Sequence, residues 1–170
     1  LLELIRALDK IDIEERPVLN VIGTYKDTDP YVKKIFKEIK NKNLINFIRF
    51  YNQINDDEMI AIMDTSKVFI LPSKNTSTRD FEGFGLVFLE ASTRYLPVIG
   101  SYNCGNEDVV IDGHTGFLVK QGDIESLKNK LSYLLNNPDF SKKMGKNGKI
   151  FANKMTWNNT TEIILNNITI

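Results

Sequence analysis

"KVFILPSKNTSTRDFEGFGLVFLEASTRYLPVIGS", residues 67–101, reads as strand, polar loop, helix and strand. "KVFILPS" is a short apolar run stopped by Pro72, and "LPVIGS" is another. Between them "FGLVFLEASTRY" (84–95) is long enough for about three helical turns. Continuously apolar strands joined by a helix belong to a parallel sheet buried on both faces. The flanking chain repeats the pattern. "LLELIRALDKI" reads as an amphipathic helix, "PVLNVIG" as a strand ending at Gly23, and "DPYVKKIFKEIKNKN" as a helix whose apolar stripe is Val32, Ile35, Phe36 and Ile39. "NFIRFY" is a second strand, and "NDDEMIAIMDTS" a helix with Asn55 as N-cap and acids in its first turn. "YNCGNEDVVIDGHTG" predicts a short helix and a turn at Asp112-Gly113, and "GFLV" a fifth strand. "DIESLKNKLSYLLNN" predicts a helix capped by Asp123; "FSKKMGKNGKIFANKM" and "WNNTTEIILNNI" close the chain as helices. The predicted class is α/β, a Rossmann-like parallel sheet with helices on both faces.

Composition narrows the function. The 170 residues carry 22 Lys+Arg and 22 Asp+Glu, without the basic excess of a dedicated nucleic-acid binder. One cysteine, Cys104, excludes an internal disulfide and suits a reducing compartment. One histidine, His114, excludes a multi-histidine metal site within the chain. No apolar run approaches the roughly 20 residues of a membrane span. The chain opens inside a helical pattern, and the expectation is one domain, residues 1–170, of a longer protein.

Ligands of such sheets bind outside the carboxyl ends of the strands. The loops at 72–86 and 100–108 both follow strands, so they are expected to face one crevice. Gly83 and Gly85 flank the start of a helix, where glycine admits close backbone approach and unpaired N–H groups attract an anion. The amides of Phe84, Gly85 and Leu86 are thus a candidate diphosphate cradle. Glu82 and Glu90, eight positions apart, would lie roughly 12 Å apart were both helical, too far for the carboxylate pair of glycoside hydrolysis, at about 5 to 9.5 Å. That spacing suits two clamps on one long ligand, a sugar at one end and a ribose at the other. It also fits a plain helix with one acid near its N-terminus and one on its wet face.

The ordered set "VFILPS", "EGFGLVFLEAS", "LPVIGS", "GNEDVVIDGHTGFLV", "GDIESLKNKLSYLLNNP" and "MGKNGKIF" resembles the carboxy-terminal, donor-binding domain of family-4 type glycosyltransferases of the GT-B fold, from about residue 18 to 165. The resemblance implies a retaining transfer of a hexose from a nucleotide-sugar, UDP- or GDP-linked, to a glycan or lipid acceptor. It assigns Glu82 to the donor sugar, Glu90 to the nucleotide ribose, Gly83, Phe84 and Gly85 to the diphosphate, and Gln53 and Ile54 to the base through their backbone. It implies no metal and no separate cofactor, an acceptor bound by an amino-terminal domain outside this chain, and no activity for this chain alone. A cytoplasmic location, at the membrane's cytoplasmic face for a lipid acceptor, and peripheral membrane association of the full-length protein are further expectations.

The sequence departs from the family's pattern in places. Its Arg and Lys partners of the diphosphate would precede Leu1. Tyr95-Leu96 stands where a small residue precedes "PV", Cys104-Gly105 replaces Gly-Gly, Asn52 replaces a glycine, and "KNTSTRD" lengthens the loop before Glu82. Lys74 or Arg79 in that loop could reach a donor, or the loop is simply solvated. These departures keep two alternatives open: a non-catalytic nucleotide-sugar-binding or scaffolding subunit, and a sugar-nucleotide epimerase-like domain. Cys104 and His114 are expected to be structural or exposed rather than catalytic, and Trp157 to pack the last helix.

Overall fold

The computed structural model describes residues 1–75 and 83–156. In chain order the elements are α1 (Leu2–Asp9), β1 (Leu19–Ile22), α2 (Pro30–Asn41), β2 (Ile48–Tyr51), α3 (Asp56–Thr65), β3 (Phe69–Ile70), α4 (Leu86–Thr93), β4 (Val98–Ser101), β5 (Gly116–Val119), α5 (Ile124–Asn136) and α6 (Pro138–Ala152). One-turn 3-10 helices occupy Ile45–Phe47 and Gly105–Asp108. The five predicted strands are all present, and every pairing is parallel. The predicted closing helix beginning at Trp157 lies outside the described residues.

Local chemistry accounts for the helix starts. Asp29 accepts from the amides of Tyr31 and Val32, with Pro30 in the first turn of α2. Asn55 and Glu58 form a reciprocal capping box on α3, and Asp123 accepts from Ser126 N at 2.9 Å on α5. The lysine-rich α2 buries Ile35 and Ile39 and leaves Lys33, Lys34, Lys37 and Lys40 exposed, as a solvated face. Among the described residues no helix is long and apolar enough to cross a membrane.

Side-chain alternation explains the layering. A strand sends successive side chains to opposite faces. On β4, Val98 joins a core with Phe88, Leu89 and Ala91 of α4, whereas Ile99 joins a core with Ile5 and Leu8 of α1 and Leu127 of α5. On β5, Leu118 goes to the first of these and Phe117 and Val119 to the second. Fully burying each such side chain contributes about 1.5–3 kcal/mol, so both faces of this sheet must be covered.

In one respect the architecture is not the single continuous sheet that the pattern suggests. β1 pairs with β2, and β3–β4–β5 form a separate three-stranded sheet. Between β1 and β3 lies a cavity of about 820 Å³, roofed by Leu4 and Leu8 of α1 and lined by Asn20, Ile22, Ile70 and Met63. Core truncations cost about 24 cal/mol per Å³ of cavity, so a sealed dry void of this size would cost about 20 kcal/mol, more than the about 5–15 kcal/mol by which a domain is stable. The cavity is accordingly open to solvent.

α6 seats on α4 through glycines. A Cβ at Gly145 would collide with the carbonyl of Tyr95, whereas one at Gly148 would meet Ser92 Oγ at 3.2 Å. Alanine gains about 1 kcal/mol over glycine from helix propensity, and overpacking against fixed backbone costs about 1–3 kcal/mol. Gly145→Ala is therefore expected to be clearly destabilising and Gly148→Ala close to neutral; urea unfolding of both variants checks the order.

Candidate functional site

α4 begins at Leu86, because Gly85 takes the left-handed conformation (φ 74°, ψ 50°) that a side chain resists. The helix thus covers Glu90 and leaves the described residues 83–85 outside it. Glu82 lies outside the described residues, as does Arg79. Gly83, Phe84 and Leu86 are exposed and Gly85 is buried. The N-cap of α4, Gly85, has no side chain to cap the helix, and Phe88 N donates to the Gly85 carbonyl at 2.9 Å. Glu90 is exposed one turn further on and pairs with no described side chain.

The two loops expected to share a crevice do meet. At Gly105, in the loop after β4, a Cβ would collide with the Gly83 carbonyl and come within 2.6 Å of Phe84 N. Backbone thus lies directly on backbone, which only glycine permits. Gly85 is held from behind, where its own Cβ would meet Phe88 Cδ2 at 2.9 Å and Asn106 Oδ1 at 3.2 Å. Asn106 is fully buried, and neither polar atom of its carboxamide has a hydrogen-bond partner among the described residues.

Beside this contact, outside the carboxyl ends of β4 and β5, opens a crevice of about 490 Å³ lined by Asn75, Tyr102, Asn103, Lys120 and Gln121. Its walls are cross-tied. Gln121 Nε2 donates to the carbonyls of Tyr102 (2.9 Å) and Asn103 (3.2 Å), and its Oε1 accepts from Asn75 N at 2.8 Å. Tyr102 donates its hydroxyl to Asp112 at 2.8 Å; the hydrogen bond to that carboxylate raises the phenol above its ordinary pKa, so it stays a neutral donor. The sequence reading missed this tie. Its one available signal is Asn103 in a turn, where the residue takes φ 62°.

Gln53 and Ile54 follow β2 on the other sheet. Gln53 also adopts positive φ, 59°, uncommon without glycine. Asn52 fixes this loop by exchanging hydrogen bonds with the backbone of Tyr25. The connection to α4 runs along the core: Met59 of α3 and Val87 of α4 both pack against the cluster around Phe88 and Val98. Farther along both helices, Asp64 and Arg94 form a two-pronged ion pair, and Arg94 lowers the Asp64 pKa by hydrogen bonding. Lys74 stands 3.9 Å from Glu3 of α1. Cys104 is buried, its thiol 3.2 Å from the Ser101 carbonyl, and His114 is exposed in its turn. Among the described residues no group of three His, Cys, Asp or Glu could hold a metal ion.

The family model for glycosyl transferases group 1 matches residues 1–151. The chain belongs to that family. It is 31% identical over 153 residues to an uncharacterized glycosyltransferase of Methanocaldococcus jannaschii, covering 85% of this chain and 42% of the relative. Sucrose-phosphate synthase from Thermosynechococcus elongatus superposes with a TM-score of 0.83 at 25% identity, covering 97% of this chain and 40% of that one. Anabaena HepE, solved with UDP and glucose, gives a TM-score of 0.83 at 21% identity, covering 96% and 43%. The chain therefore spans about two fifths of the length of these proteins, and its fold is the Rossmann-like half of a GT-B glycosyltransferase.

An unpartnered buried carboxamide costs about 1–3 kcal/mol. Asn106→Leu, of the same branched shape and without the polar atoms, is expected to raise the urea midpoint of the isolated chain; a lowered midpoint would show that overpacking or a lost partner outweighs the relief.

Proposed function

We propose that this chain is the donor-binding domain of a retaining glycosyltransferase, and that the acceptor is held by an amino-terminal domain in a longer protein. The observation that carries the reading is the start of α4 at the left-handed Gly85, in a loop pressed against Gly105; the expected cradle is the amides of Phe84, Gly85 and Leu86. Such a terminus offers oriented N–H groups and the positive end of the helix dipole to a diphosphate. The solved complex of a similar fold with UDP and glucose supports the ligand class. Glu90 accepts from the ribose hydroxyls, Glu82 from the sugar, and the backbone of Gln53 and Ile54 reads the base. Leaving-group charge is met by the helix terminus and by basic side chains, without a metal. The hexose goes to a glycan or lipid acceptor, and the chain by itself turns nothing over. Tyr95 and Cys104 do not weaken the enzymatic reading: the Cys104 thiol turns into the core, and Tyr95 presents its carbonyl to Gly145.

Calorimetric titration of the 170-residue chain with UDP, GDP and ADP and their sugars tests this. One nucleoside diphosphate should bind weakly, with the same affinity in EDTA. Glu90→Ala should weaken that diphosphate about ten- to a hundredfold, the value of about 1.5–3 kcal/mol for a hydrogen bond to a charged group. Glu82→Ala should leave the free diphosphate unchanged and weaken only the sugar-bearing donor. Equal losses in both variants, or a strict need for a divalent metal, would sink the assignment.

A further inference from the structure

The loop after β2 is tied down by a side chain where the backbone ladder stops. β1 and β2 pair in parallel as far as Ile22 and Tyr51, and the last backbone rung is Gly23 N donating to Tyr51 O at 3.2 Å. Beyond it, Asn52 Nδ2 donates to the Tyr25 carbonyl at 3.3 Å, and Tyr25 N donates to Asn52 Oδ1 at 3.4 Å. A carboxamide carries the same donor and acceptor as a peptide unit, so the Asn52 side chain supplies one further rung between the two loops. Asn52 stands where the family's pattern has glycine, which has no side chain to make such a rung.

The far side of the rung is anchored. The Tyr25 ring meets Phe36 of α2 at 6.0 Å and Phe50 of β2 at 5.7 Å, both edge to face, and those two rings lie 5.1 Å apart. Phe36 and Phe50 pack in turn against the core that holds Ile35 and Ile48. The other end of the segment is fixed as well. Glu58 N donates to Asn55 Oδ1 at 2.9 Å, and Asn55 N donates to Glu58 Oε2 at 3.0 Å. Between these two anchors lie only Gln53 and Ile54. Gln53 takes φ 59°, which a residue other than glycine keeps only where its surroundings hold it. Among the described residues, none donates to or accepts from the backbone of Gln53 or Ile54. Backbone groups held still and unpaired can tell one base edge from another, because a mismatched edge leaves them without partners; groups free to move adapt to either.

We propose that Asn52 is a positioning residue for base recognition: its carboxamide locks the loop after β2 to the ring-anchored Tyr25, holds Gln53 left-handed, and so sets which nucleobase the chain prefers without touching the diphosphate. This rests on the assignment, made above, of the base to the backbone of Gln53 and Ile54.

Two measurements on the 170-residue chain and its Asn52→Ala and Asn52→Gly variants test this. The first needs no ligand. NMR order parameters of the Gln53 and Ile54 amides should fall from about 0.85 in the unsubstituted chain to below about 0.6 in both variants, with the urea midpoint little changed. The second is calorimetric titration with UDP, GDP, ADP and, as a probe without a base, inorganic pyrophosphate. The unsubstituted chain should favour one base by at least about tenfold, and the variants should narrow that ratio to about threefold or less. Pyrophosphate should bind all three proteins alike. Order parameters that do not fall, or a base preference that survives both substitutions, would overturn the proposal and leave the base assignment standing. A loss of affinity shared equally by pyrophosphate overturns it too, because Asn52 would then act through the fold of the whole site. An unsubstituted chain that binds the three nucleotides equally, or none of them, removes the base assignment itself and the proposal with it.

Discussion

The site depends on one contact between two stretches of backbone. Gly105 lies so close to the Gly83 carbonyl and the Phe84 amide that no side chain fits between them. That contact joins the loop after β3 to the loop after β4, and it fixes where α4 begins. Beside it, Gly85 turns left-handed over Phe88 and Asn106 and sets the first residue of α4 at Leu86. In the proposed reading, a diphosphate cradle needs no special side chains at this place. It needs two loops that approach closely enough to hold backbone N–H groups still.

The ties around this contact explain why the loops can be irregular without being loose. Gln121 holds Tyr102, Asn103 and Asn75 together, and Asp112 accepts from both the Tyr102 hydroxyl and Leu118 N. Each bond is of ordinary strength, about 0.5–1.5 kcal/mol net, but together they span the ends of β4 and β5 and the residues following β3. The sequence reading found the elements because their causes are local: Asn55 and Asp123 cap the apolar stripes that follow them, and "VIGS" and "GFLV" are apolar runs short enough to be buried strands. It found the shared crevice because parallel strands force their following loops to one edge. The Gln121 tie was not legible, since a glutamine after a strand carries no sign of which carbonyls it will reach. The orphaned Asn106 was not legible either, because burial of a polar residue in a loop depends on the packing of Phe88 and Gly100 around it. The split of the sheet was hidden for a similar reason. Apolar runs announce that strands are buried, but not which neighbour buries them.

The two cores differ in how far they reach along the chain. The cluster around Phe88 and Val98 draws its buried residues from between Met63 and Ala152. The other joins Leu4, Ile5 and Leu8 of α1 to Leu127, Leu131 and Leu134 of α5, more than a hundred positions away. Contacts of such separation form late, because the entropy of closing the intervening loop must be met first.

During synthesis this separation becomes a delay. Ribosomes add about 5–20 residues per second, so α1 waits roughly ten seconds after it emerges before α5 exists to cover it. Ile5 and Leu8, both fully buried in the finished fold, stay uncovered by α5 through that interval. Until then α1 keeps exposed an apolar face of the kind that makes incompletely folded chains prone to associate.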